Sequence, residues 1–263
     1  MASADGDVLA ILNSDDAYAP GRFTRIMERA GSARRMFGFS AVNFIESGAT
    51  TDFHSVSDWY QEILTNAAAL PSAGFALLQQ NMTITTSNFV FSRDLAEKSG
   101  GFDPALPLTQ DWDFALRCLP FVEPTFSPEP LLSYRMHPQN TWRKLRDRRV
   151  EQSRAVLRTY FSRRVEAENP MAPSAQAWPR FFGVFLGIGR QVASQTNMAQ
   201  LLRDMGLDQT PELLGNKPAG PVELAAIVRL VEAAGGQNDI DPSQDLPEQI
   251  ASHWFATREA RQS

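Results

Sequence analysis

Val8-Leu-Ala-Ile-Leu-Asn-Ser-Asp-Asp16, followed by Ala17-Tyr-Ala-Pro-Gly-Arg-Phe23, is the stretch whose reading decides the fold. Val8 to Leu12 is an unbroken apolar run, which predicts a short strand buried on both faces of a parallel sheet rather than an amphipathic edge. The run stops abruptly in the polar side chains of Asn13, Ser14, Asp15 and Asp16. Ligands of α/β sheets bind at the carboxyl ends of strands, which makes these residues candidate contacts. Adjacent carboxylates repel unless a cation or hydrogen-bond donors neutralise them, and hard oxygen ligands suit Mg²⁺ or Mn²⁺. Equally, Asp15 or Asp16 can cap the helix entered through Pro20, and local chemistry leaves both readings open.

Working outward, Pro20 to Ala30 reads as a helix with Phe23, Ile26 and Met27 on its buried face, closed by Gly31. Met36 to Ile45 reads as a strand, and Ser55 to Ala69 as a helix with Val56, Trp59, Tyr60, Ile63 and Leu64 at helical spacing. Thr83 to Ser92, β-branched and aromatic, reads as a strand that begins with the polar cluster Thr85, Thr86, Ser87 and Asn88. Arg93 to Ser99 is a short helix stopped by Gly100-Gly101, where the backbone can approach a ligand closely. Thr109 to Leu119 is a buried helix whose first turn carries Asp111 and Asp113, positions that the helix dipole alone would favour. Thr125-Phe126 is a candidate short strand, and Leu131 to Met136 reads as the last strand, ended by His137-Pro138.

Ala4 to Pro20 resembles the metal-motif segment of glycosyltransferase family 2. The resemblance recurs in order in Gly100-Gly-Phe-Asp103, Gln110-Asp-Trp-Asp-Phe-Ala-Leu-Arg117 and Leu132-Ser-Tyr-Arg-Met-His137 with Asn140. It implies an α/β GT-A fold with a Rossmann-like mixed sheet flanked by helices, and sugar transfer from a nucleotide-sugar donor to a glycan or lipid-linked hydroxyl acceptor. On this resemblance Asp111 is the general base, which takes the acceptor hydroxyl's proton while the oxygen attacks the anomeric carbon. Gln110 stands where the family usually has glutamate. Asp15 would be the main metal ligand, with Asp16 and His137 near it. Asn13, Ser14 and Arg135 would lie towards the donor, and Thr86, Asn88 and Gly101 towards the acceptor. In many relatives the Asn13 position is aspartate. The residues themselves leave other readings open: solvent-facing side chains for Thr85 to Asn88, a loop residue for His137, and a cap or arginine partner for Asp113.

The resemblance covers residues 4 to about 142. Several βα units normally precede the metal motif and form most of the nucleotide pocket, whereas Met1 to Asp7 are too few for one such unit. It therefore implies a fragment, a start placed too far downstream, or a chain completed by another polypeptide. Val8 to Leu12 would then present an open apolar edge that self-associates or takes up a complementing segment. A non-catalytic scaffold or partner-binding remnant of the fold is the alternative from another functional class.

Residues 1–142 are thus read as a partial GT-A domain and 143–263 as an all-helical extension of unknown role. The extension opens with a basic helix over Trp142 to Arg164, read as a solvated face, as a peripheral contact with anionic lipid head groups or, on the resemblance, as a contact with the donor diphosphate. Ala167 to Ser174 reads as a linker, and further helical patterns lie near 198–205, 222–234 and 246–261. The apolar segment Trp178 to Gly189 is too short and interrupted to span a bilayer. A net charge of −5 gives no reason to expect nucleic acid. One cysteine, Cys118, excludes an intramolecular disulfide framework, and the amino terminus lacks a signal-peptide pattern, so a cytoplasmic protein is expected.

Overall fold

In the computed structural model, which describes residues 4–47, 53–141, 148–163, 165–174, 177–178, 181–182, 185, 205 and 221–233, the sheet is built on two long strands. Strands β3 (Phe37–Glu46) and β5 (Thr125–Met136) pair in parallel from Gly38 opposite Thr125 to Glu46 opposite Met136. Strand β5 runs unbroken through Pro128 and Pro130, where two separate pieces were expected. Proline cannot donate to a ladder, and the register slips around Ala41, beside these prolines, absorb the missing donors.

Three short strands complete a mixed sheet in the order β1-β4-β3-β5-β2, with β1 at Val8–Ala10, β2 at Ala17–Tyr18 and β4 at Val90–Ser92. Strand β1 corrects the expectation of a parallel strand buried on both faces, because it pairs antiparallel with β4 and ends the sheet. Its Leu9 is buried, whereas Val8 is 41% exposed. The expected strand over 83–92 shortens to β4, because Thr85 turns its hydroxyl onto the Ser87 N–H and starts a 3₁₀ turn at Thr86–Asn88.

Seven helices flank the sheet among the described residues: α1 (Arg22–Ala30), α2 (Phe53–Ala68), α3 (Ala73–Gln79), α4 (Arg93–Ser99), α5 (Gln110–Cys118), α6 (Arg149–Ser162) and α7 (Pro221–Ala233). Helix α1 buries Arg22 and Ile26, while Phe23 and Met27, expected inside, are 45% and 38% exposed. On the opposite face Phe37, Phe89, Phe91 and Phe114 are fully buried and interlock at ring-centroid distances of 5.0 to 6.2 Å. The same core takes in Val156 and Leu157 of α6, Trp178, Phe181 and Ala226 of α7, so it crosses the boundary expected at 142/143. Asn169, in the expected linker, is buried and bonded to the Leu119 carbonyl. Helix α7 matches the pattern near 222–234; those near 198–205, apart from Met205, and 246–261, and most of 142–148 and 183–189, lie outside the described residues. No described helix is long and apolar enough to cross a membrane.

Ile26 seats α1 directly on Gly38, and a Cβ at that glycine would overlap Ile26 Cγ2. Gly38→Ala should therefore push α1 off the sheet and cost about 1–3 kcal/mol. Urea unfolding monitored by circular dichroism checks this.

Candidate functional site

Two carboxylates placed by different elements define the site, and one polar segment touches both. The first lies in the turn after β1, closed by the Asp16 N–H donating to the Asn13 carbonyl at 3.2 Å. Tyr18 Oη also donates to the Ile11 carbonyl at 2.5 Å, so the chain entering β2 braces the turn. Within it Asp15 and Asp16 have separate fates. Asp16 is only 9% exposed, accepting from Ser87 Oγ at 2.6 Å, the Arg135 N–H at 3.0 Å and Asn13 Nδ2 at 3.4 Å. Burial raises its pKa and these donors hold it down. Its carboxylate is thus committed to holding the turn against β5 and the 3₁₀ turn.

Asp15 turns outward. Its Oδ2 lies 2.9 Å from His137 Nε2, and its carbonyl accepts from Arg135 Nε at 3.0 Å. The tail of β5 presents this histidine because Asn140 folds back, accepting from the His137 N–H at 2.6 Å and donating to the Arg135 carbonyl at 3.2 Å. Asn13 donates from its backbone to Ser87 Oγ at 2.9 Å and from its amide to Thr85 Oγ1 at 3.0 Å, and Ser14 is exposed at the crown of the turn. The structure thus gathers Asn13, Asp15, Asp16, Arg135 and His137 into one cluster.

The second carboxylate, Asp111, is 7% exposed in the first turn of α5. It accepts from the Trp112 N–H at 2.7 Å and from Asn81 Nδ2 at 3.1 Å. Burial pushes its pKa up to about 6, against the pull of these hydrogen bonds. Trp112 Nε1 donates to the Leu77 carbonyl at 2.6 Å and so fixes α5 on α3. Asp113 pairs with Arg117, whose Nε lies 2.7 Å away.

The segment from Asn81 to Asn88 joins the two centres, reaching Asp111 through Asn81 and Asp16 through Ser87. Asn88 has no exposed surface and no polar group left for an acceptor. It donates to the Ser40 and Thr83 carbonyls and accepts from the Ser40 N–H and Arg22 Nη2. Arg22, 1% exposed and pushed down to about 10 by burial, stays cationic at neutral pH against Ser40, Asn88 and the Tyr18 ring. Thr86 is half-buried on the 3₁₀ turn. Gly101 is buried, at φ 67°, and its N–H is spent on the Ala96 carbonyl closing α4. In the structure the Asn88 amide and the Gly101 N–H are thus both engaged in internal bonds.

Asn81 and Arg22 were not singled out from sequence, and Ser87 was named only as a member of the polar cluster; nothing marks Asn81 beyond its polarity after an apolar helix. In comparisons with known proteins the chain matches no family model, no curated protein and no solved structure.

Proposed function

We propose that this chain is part of an inverting GT-A glycosyltransferase that moves a sugar from a nucleotide-sugar donor to a hydroxyl acceptor. The observation that carries the reading is the 2.9 Å contact between Asp15 and His137, 122 residues apart in sequence. These are two of the three residues that the resemblance to family 2 sends to the metal. In this reading residues 1–142 are the carboxyl-terminal part of the GT-A domain, 143–263 are a helical extension, and the protein works in the cytoplasm, in peripheral contact with membranes where its acceptor is lipid-linked.

Asp15 would offer an oxygen ligand and His137 its Nε2; Nδ1 accepts from the Gln139 N–H, so Nε2 donates to Asp15 in the structure and a metal would take the place of that proton. No group of three His, Cys, Asp or Glu that could hold a metal exists among the described residues. Two protein ligands fit Mg²⁺ or Mn²⁺ that keeps water and takes its remaining ligands from a diphosphate. The bound ion would neutralise charge on the departing diphosphate. Asp16 holds the turn, and Arg135 stands beside Asp15 on the donor side. Asp111 accepts the proton of the acceptor hydroxyl as that oxygen forms its bond to the anomeric carbon and the bond to the diphosphate oxygen breaks. A carboxyl with a pKa of about 6 is ionised at neutral pH yet basic enough for this transfer.

A second reading, a partner-binding form of the fold without catalysis, is favoured by the sheet edge. Strand β1 ends the sheet, with Val8 and Leu12 41% and 48% exposed.

Calorimetric titration with Mn²⁺ and a nucleotide sugar tests the first reading. Asp15→Ala and His137→Ala should each abolish metal-dependent binding. Asp16→Asn, which keeps one acceptor oxygen for the Arg135 N–H and turns its amide NH2 towards the Ser87 hydroxyl oxygen, should weaken it less. Equal losses at Asp15 and Asp16, or binding that ignores Mn²⁺, would overturn the assignment.

A further inference from the structure

We infer that Asn81 is the positioning residue for Asp111, holding one carboxylate oxygen with an amide whose orientation Thr83 has locked; this rests on the reading of Asp111 as the base. Asn81 Oδ1 accepts from Thr83 Oγ1 at 2.5 Å and from the Thr83 N–H at 3.2 Å. A backbone N–H only donates, so the amide oxygen must face Thr83 and Nδ2 must face Asp111, at 3.1 Å. The other Asp111 oxygen takes the Trp112 N–H. The carboxylate is thereby gripped from two directions, by its own helix and by the segment that follows α3.

That segment is held under strain. Ile84 has a φ of 70°, a left-handed conformation that a β-branched residue adopts only when its surroundings force it. On one side Met82 and Thr83 are buried, with 1% and 0% exposure. On the other, Thr85 Oγ1 accepts from Asn13 Nδ2 and the Ser87 N–H. The twist at Ile84 thus lies between the residues that grip Asp111 and those that grip the Asp15–Asp16 turn. Strain of this kind collects where a structure must hold side chains in a fixed relation.

The ionisation of Asp111 has few other determinants. Helix α3 and residues 81–88 carry no charged side chain. On α4, Asp94 pairs with Arg35 and Lys98 with Glu168. On α5, Asp113 pairs with Arg117, and α6 meets the start of α5 through the neutral Gln152. What moves the Asp111 carboxyl is burial, opposed by hydrogen bonds of which the Asn81 amide is the one side-chain contribution. A donor to the carboxylate favours its charged form, so Asn81 keeps a buried base ionised.

The test is the titration of Asp111 in the whole chain, labelled at the aspartate carboxyl carbon, with the signal assigned by its loss in Asp111→Asn. The native midpoint should lie at about 6. In Asn81→Leu it should rise by about one pH unit, the effect of losing one hydrogen bond to a charged group. Asn81→Asp keeps the size and the Thr83 bonds but puts an acceptor against Asp111. It should also raise the midpoint, and it covers a failure of Asn81→Leu to fold. Thr83→Val should move it less, since Oδ1 retains the Thr83 N–H. An unchanged midpoint in the folded Asn81 variants overturns the inference. In a transfer assay the acidic limb of kcat should move with the midpoint while KM for donor stays constant, a split that general loosening would not produce. The titration needs no substrate. A chain that titrates as expected but transfers nothing therefore counts against the proposed reaction alone, and an active enzyme with an unmoved midpoint counts against Asn81 alone.

Discussion

Asp111→Asn should lower the proposed sugar transfer by roughly 10²- to 10⁴-fold at saturating donor and acceptor, the contribution typical of a general base, while leaving donor binding nearly unchanged. The same substitution has a second readout that needs no substrate. Folding moves the Asp111 carboxyl from 3.8 to about 6, so the folded state holds its proton more tightly than the unfolded chain. A folded pKa above the unfolded one stabilises fully below the unfolded value and loses that stabilisation as pH rises through the folded value. The native protein should therefore lose about 2 kcal/mol relative to Asp111→Asn between about pH 4 and about pH 7. The amide of the variant would turn a donor towards Asn81 Nδ2, a repulsion that lowers its stability equally at both pH values and leaves the difference intact. Urea unfolding of both proteins at the two pH values measures this. Transfer within a few-fold of native would remove Asp111 from the role of base, and parallel pH profiles would show that its carboxyl is not perturbed in the fold.

Phe114→Ala should cost about 3–5 kcal/mol, the range for truncating a fully buried phenylalanine. Phe114 is the shared member of the aromatic cluster, with centroids 4.5 Å from Phe102, 5.0 Å from Phe91, 5.8 Å from Phe89 and 6.2 Å from Phe37. No single rotamer change could fill a cavity bounded by four rings from β3, the residue before β4, β4 itself and the loop after α4. Phe114→Leu, which keeps much of the volume, should lose less. A lower urea midpoint at unchanged slope is the expected signature. Because α5 also carries Asp111, binding should fall in step with the folded fraction and no further.

The helices most legible in the sequence are those with chemical punctuation. Arg93–Ser99 is bounded as expected because Gly100 and Gly101 both take positive φ and stop it, and α5 begins within one residue of its expected start. The strands were less legible. The apolar run at Val8 cannot tell a central parallel strand from an antiparallel edge, since both tolerate five apolar residues and only the partner decides. In β5, Pro128 and Pro130 argue locally for a break, yet the register slip opposite them lets the strand continue. Helix α3, 73–79, was missed because it is short and six of its seven residues are buried, which leaves no polar face to set a period. For the site, the resemblance grouped Asp15, Asp16 and His137, and in the fold Asp15 touches His137 while Asp16 bonds Ser87 and the Arg135 N–H. Asn88 was legible as a member of a polar cluster, but its internal bonds to Ser40, Thr83 and Arg22 were not, because their partners lie up to 66 residues away.

Strands β1 and β2 are successive in the chain but occupy opposite ends of the sheet, and the turn carrying Asp15 and Asp16 is what runs between them. That turn is held by bonds spanning 71 residues to Ser87, 119 to the Arg135 N–H and 122 to His137. Contacts so distant in sequence form only after the intervening chain has been ordered, at the full cost of closing those loops. The Asp15–His137 pair should consequently be among the last features acquired during refolding and among the first surrendered on partial unfolding. On the proposed reading, metal affinity should then decay at urea concentrations that still leave the aromatic cluster intact, so that the proposed site would come apart before the shape does.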